Sequence, residues 1–449
     1  MSLIIRSKYL LTMDPQYGLI KDGAVVVKEN KIIYVGEYEK VIKEYPGTEV
    51  FDASDKIVMP GLISSHNHMY GVLSHGMPIP DVPSTFIGFL EAFWWPYVEN
   101  LLDKDMIYHA AKVASIEMIK TGTTTHADIL EAPYAIPGAL DVEAKATEEV
   151  GIRSILSFEA TERISKENGE LGIKENLEFI KKHNVSKESL TRGMFCIHTT
   201  FTCSPDFLKK VRELANQYKA GIHLHLEEGD YETIHALVKY RKLPVELYEE
   251  IGFLGPDVLA SQCVQTTPKE IKTLKKYDVK ISHMPVSNCE VGGGIAPIPQ
   301  MLEEGLTVGL GTDGYIVDMF HVMRFAFLIH KANMKDASVM PADVVMKMAT
   351  INNAKVIGMQ DLIGSITPGK LADIITVKPK LPTPVNEENL VTQLVVFGEG
   401  SFVNDVFING NLVMKDRQIL TVDETEAKTK LSEVAEQFWD LIKKKAGGS

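Results

Sequence analysis

Apolar runs and helical stripes alternate along most of this 449-residue chain. Eight short apolar runs stand out: Ile57–Ser64, Thr123–Ala127, Ile152–Phe158, Phe195–Thr199, Gly221–Leu226, Val258–Val264, Val279–Met284 and Thr307–Gly311. Most are followed by a stretch with a helical apolar period. Asp103–Thr121 puts Ile107, Ala110, Ala111, Ala114 and Met118 on one face, and Gly122 then stops it. Lys209–Lys219 and Pro268–Tyr277 behave similarly. Continuous Val/Ile/Leu runs between helices are the texture of strands buried on both faces, and therefore of a parallel sheet. Eight strand–helix units over about 250 residues make a (β/α)8 barrel.

The flanks read differently. Leu3–Ile5, Ala24–Val27 and Ile32–Val35 are β-branched runs, with Glu29-Asn30 a hairpin turn between the last two. After two helical stretches, Met319–Asn333 and Pro341–Ile357, strand texture returns in Leu371–Val377, Val403–Ile408 and Asn411–Met414. There Asn409-Gly410 is a strong hairpin signal. The expected architecture is a distorted (β/α)8 TIM barrel over 57–370, beside a small β-sandwich built from 1–56 and 371–418. A closing helix falls within 419–446.

Composition narrows the function classes. With 47 basic and 60 acidic residues the net charge is −13, which argues against nucleic acid as a partner. Four widely spaced cysteines, Cys196, Cys203, Cys263 and Cys289, form no CxxC pair, so no disulfide framework is expected and a cytoplasmic setting fits. The first fifteen residues hold no long apolar run, and neither a signal peptide nor a membrane span is expected there.

The candidate chemistry sits at run ends. His66-Asn67-His68 closes the first run, and residues i and i+2 of a strand point the same way, so two imidazoles can converge on one ion. An HxH alone is a weak signal; the carboxyl end of a barrel strand, where such barrels keep their sites, strengthens it. His223-Leu224-His225-Leu226-Glu227-Glu228 closes the fifth run and can supply a third nitrogen and a nearby carboxylate. The bland alternative, a core histidine satisfied by hydrogen bonding, suits His223. Asp313, in LGTDG after the eighth run, is either a fourth ligand or a turn residue. Three nitrogens and one carboxylate with an open position suit a catalytic zinc.

PGLISSHNH, HLHLEE, SHMPVSN with GGGIAPIPQMLEEG, and VGLGTDG resemble the amidohydrolase superfamily, in its branch of aromatic deaminases and chlorohydrolase-like enzymes. The likeness runs from about Leu3 to about Gln418. Phe93-Trp94-Trp95, Phe158-Glu159 with Thr161 and Arg163, and GTDG followed by Asp318-Met319-Phe320 look closer still to SsnA-type aminohydrolases. This resemblance implies one divalent ion per chain, Zn2+ or Fe2+, held by His66, His68, His225 and Asp313. It implies a bound water acidified towards roughly pKa 7 and attacking as hydroxide, with Asp313 taking its proton. Glu228 would hand a proton to the leaving nitrogen. The implied substrate is a small nitrogen heterocycle, purine-related, opened or deaminated at a C–N bond; chlorohydrolase-type displacement is the alternative. Barrels of this kind frequently pair, and a homodimer is expected.

One position departs from the family. Its usual sixth strand ends in a stretch like AHCVH; here Ala260-Ser261-Gln262-Cys263-Val264-Gln265 has glutamine at both histidines. Gln262 can donate a hydrogen bond but cannot carry charge. Three readings stand: a neutral donor suffices; His283 or His198, both at run ends, does the electrostatic work; or the protein binds metal or ligand with little turnover. Trp94 and Trp95 either stack on a flat substrate or pack their segment onto the barrel. Arg163 and Glu159 either pair or grip a polar substrate. His75, His109, His126, His183, His235, His321 and His330 show no ligand spacing and read as surface or structural.

Overall fold

In the computed structural model, which describes residues 2–77 and 83–447, the strand–helix alternation closes into a barrel. Its eight strands are Leu62–Asn67, Thr123–Leu130, Arg153–Ala160, Phe195–Ile197, Ile222–Leu226, Val258–Gln262, Lys280–His283 and Val308–Leu310. Each pairs in parallel with the next. A parallel bridge between Asn67 and Asp313 closes the ring between the first strand and the segment after the eighth. Every residue of the second and third strands is buried. Burial on both faces erases the polar–apolar alternation and leaves the continuous runs of the sequence.

The seam between the first and eighth strands has its own staple. The Asn353 side chain, from the short helix Ile351–Val356, donates to the Ile63 and Leu310 carbonyls and accepts from the Leu310 amide at 2.9 Å. A Cβ on Gly309 would fall 1.8 Å from Asn353 Oδ1, so only glycine lets the staple seat.

The two ends of the chain meet in one nine-stranded sheet, antiparallel except where Ser2–Leu11 runs parallel to Glu49–Pro60. The junction is Glu49–Pro60 against Ile374–Val377, with Pro60 opposite Ile374. The apolar run Ile57–Ser64 is therefore divided: Ile57–Pro60 finishes a strand of this sheet, and the barrel strand begins after Gly61. Both halves face cores, so no polar residue marks the boundary. Ile5, Val25, Val27, Val58, Ile374 and Phe407 belong to the sheet's own core, apart from the main barrel core. The hairpin expected at Asn409-Gly410 is present, both residues having positive φ.

The sheet is fastened to the barrel by Arg153, the first residue of the third strand. Its fully buried guanidinium forks onto Asp373, Nε to Oδ2 at 2.9 Å and Nη2 to Oδ1 at 3.1 Å. The helix Glu424–Gly447 lies back on the barrel through Lys120–Glu424 and through Trp439, whose indole donates to the Leu73 carbonyl at 2.7 Å. Among the described residues, no helix is long and apolar enough to cross a membrane.

Candidate active site at the barrel mouth

The carboxyl ends of the strands open into a cavity of about 280 Å³. His68, His225, Asp313, Glu228, His198 and Trp94, from four strand ends and the long segment after the first strand, all line it. His66 lies immediately beneath, with no exposed surface. The ligand nitrogens of His66, His68 and His225 fall within 4.8 Å of one another. Asp313 joins them: Oδ1 is 3.6 Å from His68 Nε2, and Oδ2 is 3.8 Å from His66 Nε2.

The imidazoles are poised as ligands. His66 Nδ1 shares a 3.0 Å hydrogen bond with His223 Nε2, and His68 Nδ1 donates to the Ile129 carbonyl at 2.8 Å. His225 Nδ1 lies 3.4 Å from Glu159 Oε2. Such outer partners fix which ring nitrogen faces inward. His66 Nε2 is buried without any partner, a costly arrangement unless something else binds there. Burial and the neighbouring histidines hold His66 well below the usual imidazole range, and burial with His68 brings His225 down to about 4. Three converging imidazole nitrogens, with His66 Nε2 left unpartnered, fit a divalent cation. His223 is the satisfied core histidine that the sequence allowed.

Asp313 is gripped on both oxygens, Oδ1 by the Gly314 amide at 2.6 Å and Oδ2 by Gln262 Nε2 at 2.7 Å. Asp313 and Gln262 both adopt left-handed backbone (φ 58° and 72°), as does Glu227 (φ 52°). Conformations of this kind cost about 1–3 kcal/mol in a non-glycine residue and gather at functional sites. The Glu228 carboxyl stands well above its usual range, through burial first and then the Asp313 charge. The protonated form is thereby favoured relative to an exposed glutamate.

Three substrate-binding candidates fall outside the cavity lining: Gln262, fully buried against Asp313, His283 and Arg163. His283 is fully buried and shares a 3.0 Å bond with His330, so it does not stand in for the missing sixth-strand histidine. Arg163 pairs with Glu99 at 2.7 Å rather than with Glu159, and its guanidinium lies 4.8 Å over the Trp95 ring. His198 does line the cavity, bonded to Thr202 Oγ1 at 2.9 Å, and burial takes it down to about 3. Trp94 stacks on Phe89, 5.5 Å between centroids, and with Phe86 and Phe93 makes an aromatic wall; Trp95 packs inward against His198.

Glu131, Glu99 and Glu290 line the cavity and escaped the sequence reading, and His75, read there as surface or structural, lines it too. Glu131 follows the second strand directly, the position that flagged Asp313 and Glu228, but nothing in its neighbourhood repeats a motif. It sits with Glu99 and Glu159 in one buried acidic cluster. Burial and the Glu131 charge push Glu99 and Glu159 well above the usual carboxylate range.

Comparison with known proteins places the chain in a class. The model of the amidohydrolase family matches residues 57–413, and the chain belongs to that family. It is accordingly a hydrolase acting on C–N bonds. It is 36% identical over 440 residues to a 5'-deoxyadenosine deaminase of Methanosarcina barkeri, covering 97% of this chain and 98% of the relative. It is 33% identical over 442 residues to a 5-methylthioadenosine/S-adenosylhomocysteine deaminase of Halothermothrix orenii, covering 97% and 99%. Its fold is that of an adenosine deaminase from Xanthomonas campestris solved with bound zinc (TM-score 0.88, 24% identity, 98% of each chain). An atrazine chlorohydrolase from Arthrobacter aurescens solved with zinc shares it too (TM-score 0.86, 21% identity, covering 96% and 100%).

Proposed function

We propose that this chain is a zinc-dependent aminohydrolase that removes an amino group from a purine-related ring, using a single ion held by His66, His68, His225 and Asp313. The observation that carries the reading is the orphaned His66 Nε2 among converging imidazoles, with Glu228 and a doubly gripped Asp313 in the same cavity. Full-length kinship to adenosine-type deaminases supports the purine ring. A divalent ion in that cage supplies the positive charge that acidifies a water near neutral pH.

The chain's own groups do the rest. The Gly314 amide and the Gln262 side chain fix the Asp313 carboxylate, which takes the proton of the attacking water. Glu228 gives its proton to the departing nitrogen. The ring carbon gains the water's oxygen and loses ammonia, and the two carboxyls end with one proton between them, as they began. Gln262 serves here as a neutral donor that acts through Asp313. The aromatic wall of Phe86, Phe89, Phe93 and Trp94 offers a face to a flat ring. Halide displacement, the alternative, rests on likeness of fold at 21% identity, and it leaves the proton on Glu228 without a task. Kinship to SsnA-type aminohydrolases, a cytoplasmic setting with four free cysteines and a homodimer complete the reading.

Elemental analysis of the native protein and of His66→Ala, paired with ammonia release over a panel of aminopurines, tests it. Near one zinc per chain, lost in the variant together with turnover, is expected. Native protein that takes up no metal on loading, or metal-loaded protein silent across the panel, refutes it.

A further inference from the structure

The helix Glu424–Gly447 runs from the base of the barrel to its mouth. Ala427, Val434, Phe438 and Ile442 recur along it at helical spacing, and all four are buried in the main core. Its 24 residues make it about 36 Å long. The first turns lie at the base, where Glu424 meets Lys120 and Lys428 meets Glu117, both partners standing in the last turn of Lys104–Lys120. The last turns lie at the mouth, and there the helix reaches the segment that walls the cavity. The Trp439 indole donates to the Leu73 carbonyl at 2.7 Å, in the 3-10 turn Met69–Ser74. That turn carries Tyr70, which lines the cavity, and it has no slack on its inner side. A Cβ on Gly71 would fall 2.5 Å from the Gly314 carbonyl oxygen. The Lys445 ammonium donates to the Pro96 carbonyl at 2.7 Å and stands 5.6 Å from the centroid of the Tyr97 ring. Tyr97 in turn stacks on Phe93, 6.4 Å between centroids, and Phe93 belongs to the aromatic wall.

We propose that Trp439 and Lys445 are positioning residues for the substrate, and that the helix carrying them is a strap that fixes the aromatic wall of the cavity. The proposal deepens the aminohydrolase reading above, from which it takes the flat ring that the wall receives. Tyr70, Phe89, Phe93 and Trp94 grip such a ring only while their faces keep their spacing. The wall sits on short helical pieces, Phe86–Phe89, Leu90–Trp94 and Trp95–Tyr97, of three to five residues each. Pieces of this length do not hold themselves in water, so their order comes from what they pack against. Both hooks close on backbone carbonyls, and they therefore fix where the segment lies rather than how one side chain turns. An ordered wall binds the ring more tightly, because little freedom is left to lose on binding. Asp313, by contrast, is held by Gln262 and the Gly314 amide, both at strand ends. Loosening the strap thus weakens binding and leaves turnover of the bound ring in place.

The test compares zinc-loaded native protein with Trp439→Phe/Lys445→Ala, which keeps an aromatic ring against the core and removes both donors. Amide hydrogen exchange over residues 69–77 and 86–101 is expected to quicken by about tenfold, with the barrel strands unchanged. KM for adenosine, the probe aminopurine, is expected to rise by about tenfold while kcat stays within about threefold, as two lost hydrogen bonds imply. Lys445→Ala alone, at an exposed position, is expected to raise KM by about threefold, and Lys445→Arg, which keeps a donor, to leave it native. Glu424→Gln loosens the same helix at the base; thermal stability is expected to fall slightly and KM to stay within about twofold of native. A helix that merely supports the fold gives another pattern: both kinds of variant lower thermal stability and neither moves KM. That pattern, or native exchange in both segments of the double variant, overturns the inference and leaves the deaminase reading standing. Exchange is read without substrate, so native protein silent on every aminopurine brings down the deaminase reading while exchange still decides the strap.

Discussion

The mouth of the barrel and the joint at its base both bury charged side chains, and they treat them in opposite ways. At the base, Arg153 and Asp373 satisfy one another through two bonds, and Asp373 also accepts the Asn409 amide at 2.7 Å. In the adjoining sheet, Asp405 accepts from Lys56 at 2.7 Å, from the Asp416 amide at 2.9 Å and from Thr376. At the mouth, His66 Nε2 and Gln262 Oε1 are buried without a hydrogen-bond partner. The backbone differs too. Positive φ in the sheet falls at turns between its strands, such as Glu29, Asn409-Gly410 and Asp416-Arg417, whereas at the mouth it falls on Gln262, Cys263 and Asp313. Polar groups that hold a fold together are paired within it. Those kept for a ligand are left open, and the scaffold bears the cost.

The base is where that contrast is most easily broken. Removing one partner of a buried ion pair leaves an uncompensated charge and costs about 3–5 kcal/mol. Arg153→Ala is therefore expected to lower the unfolding free energy by that amount in a denaturant titration, while the molecules that remain folded keep their kcat. A loss under 1 kcal/mol would mean that the pair is dispensable and the contrast overstated. A kcat that falls with stability intact would tie the base to the chemistry.

Next in size is Glu228. Glu228→Gln keeps the shape and removes the proton, and kcat is expected to drop by at least about 10², or roughly 2.7 kcal/mol of barrel-mouth chemistry, with metal content unchanged. The pH profile sharpens this. Burial raises the Glu228 carboxyl well above its usual range, and the protonated form is the working one. Activity should hold below that raised value and decline as pH rises through it. The alkaline decline should vanish in the glutamine variant. An unchanged kcat removes Glu228 from the proton path.

How much of this was legible in the chain depended on spacing. His66 and His68 could be paired because a strand repeats every two residues, and His225 and Asp313 because they end later runs of the same rhythm. Barrel and sheet were visible as two textures, but their border was not: Ile57–Pro60 and Leu62–Ser64 both face cores, and Gly61 alone separates them. Glu131 and Glu99 were invisible for a related reason. Each is a lone acid in a run-end or connecting segment, and only the folded chain brings them into one cavity wall. The Asn353 staple joins residues nearly three hundred positions apart, beyond any local pattern. Arg163 carried a misleading signal, since its proximity in sequence to Glu159 hid its partner Glu99.

Gln262 gives the smallest and most instructive effect. It stands where the family resemblance leads one to expect a histidine, and its amide reaches Asp313 Oδ2 at 2.7 Å. Losing a neutral donor to a carboxylate typically costs about 1.5–3 kcal/mol when the acceptor is stranded, and less where Gly314 and a bound cation still hold the other side. Gln262→Ala is thus expected to lower kcat by about tenfold, or near 1.4 kcal/mol, with KM and metal content little changed. A fall confined to KM would move Gln262 from positioning Asp313 to touching the substrate. A loss of metal would make it part of the cage. If Gln262→His proves more active than the native chain, the neutral donor is a weaker solution to the same task, and the open, unpartnered Gln262 Oε1 marks where the substitution left the mouth less well tuned than its base.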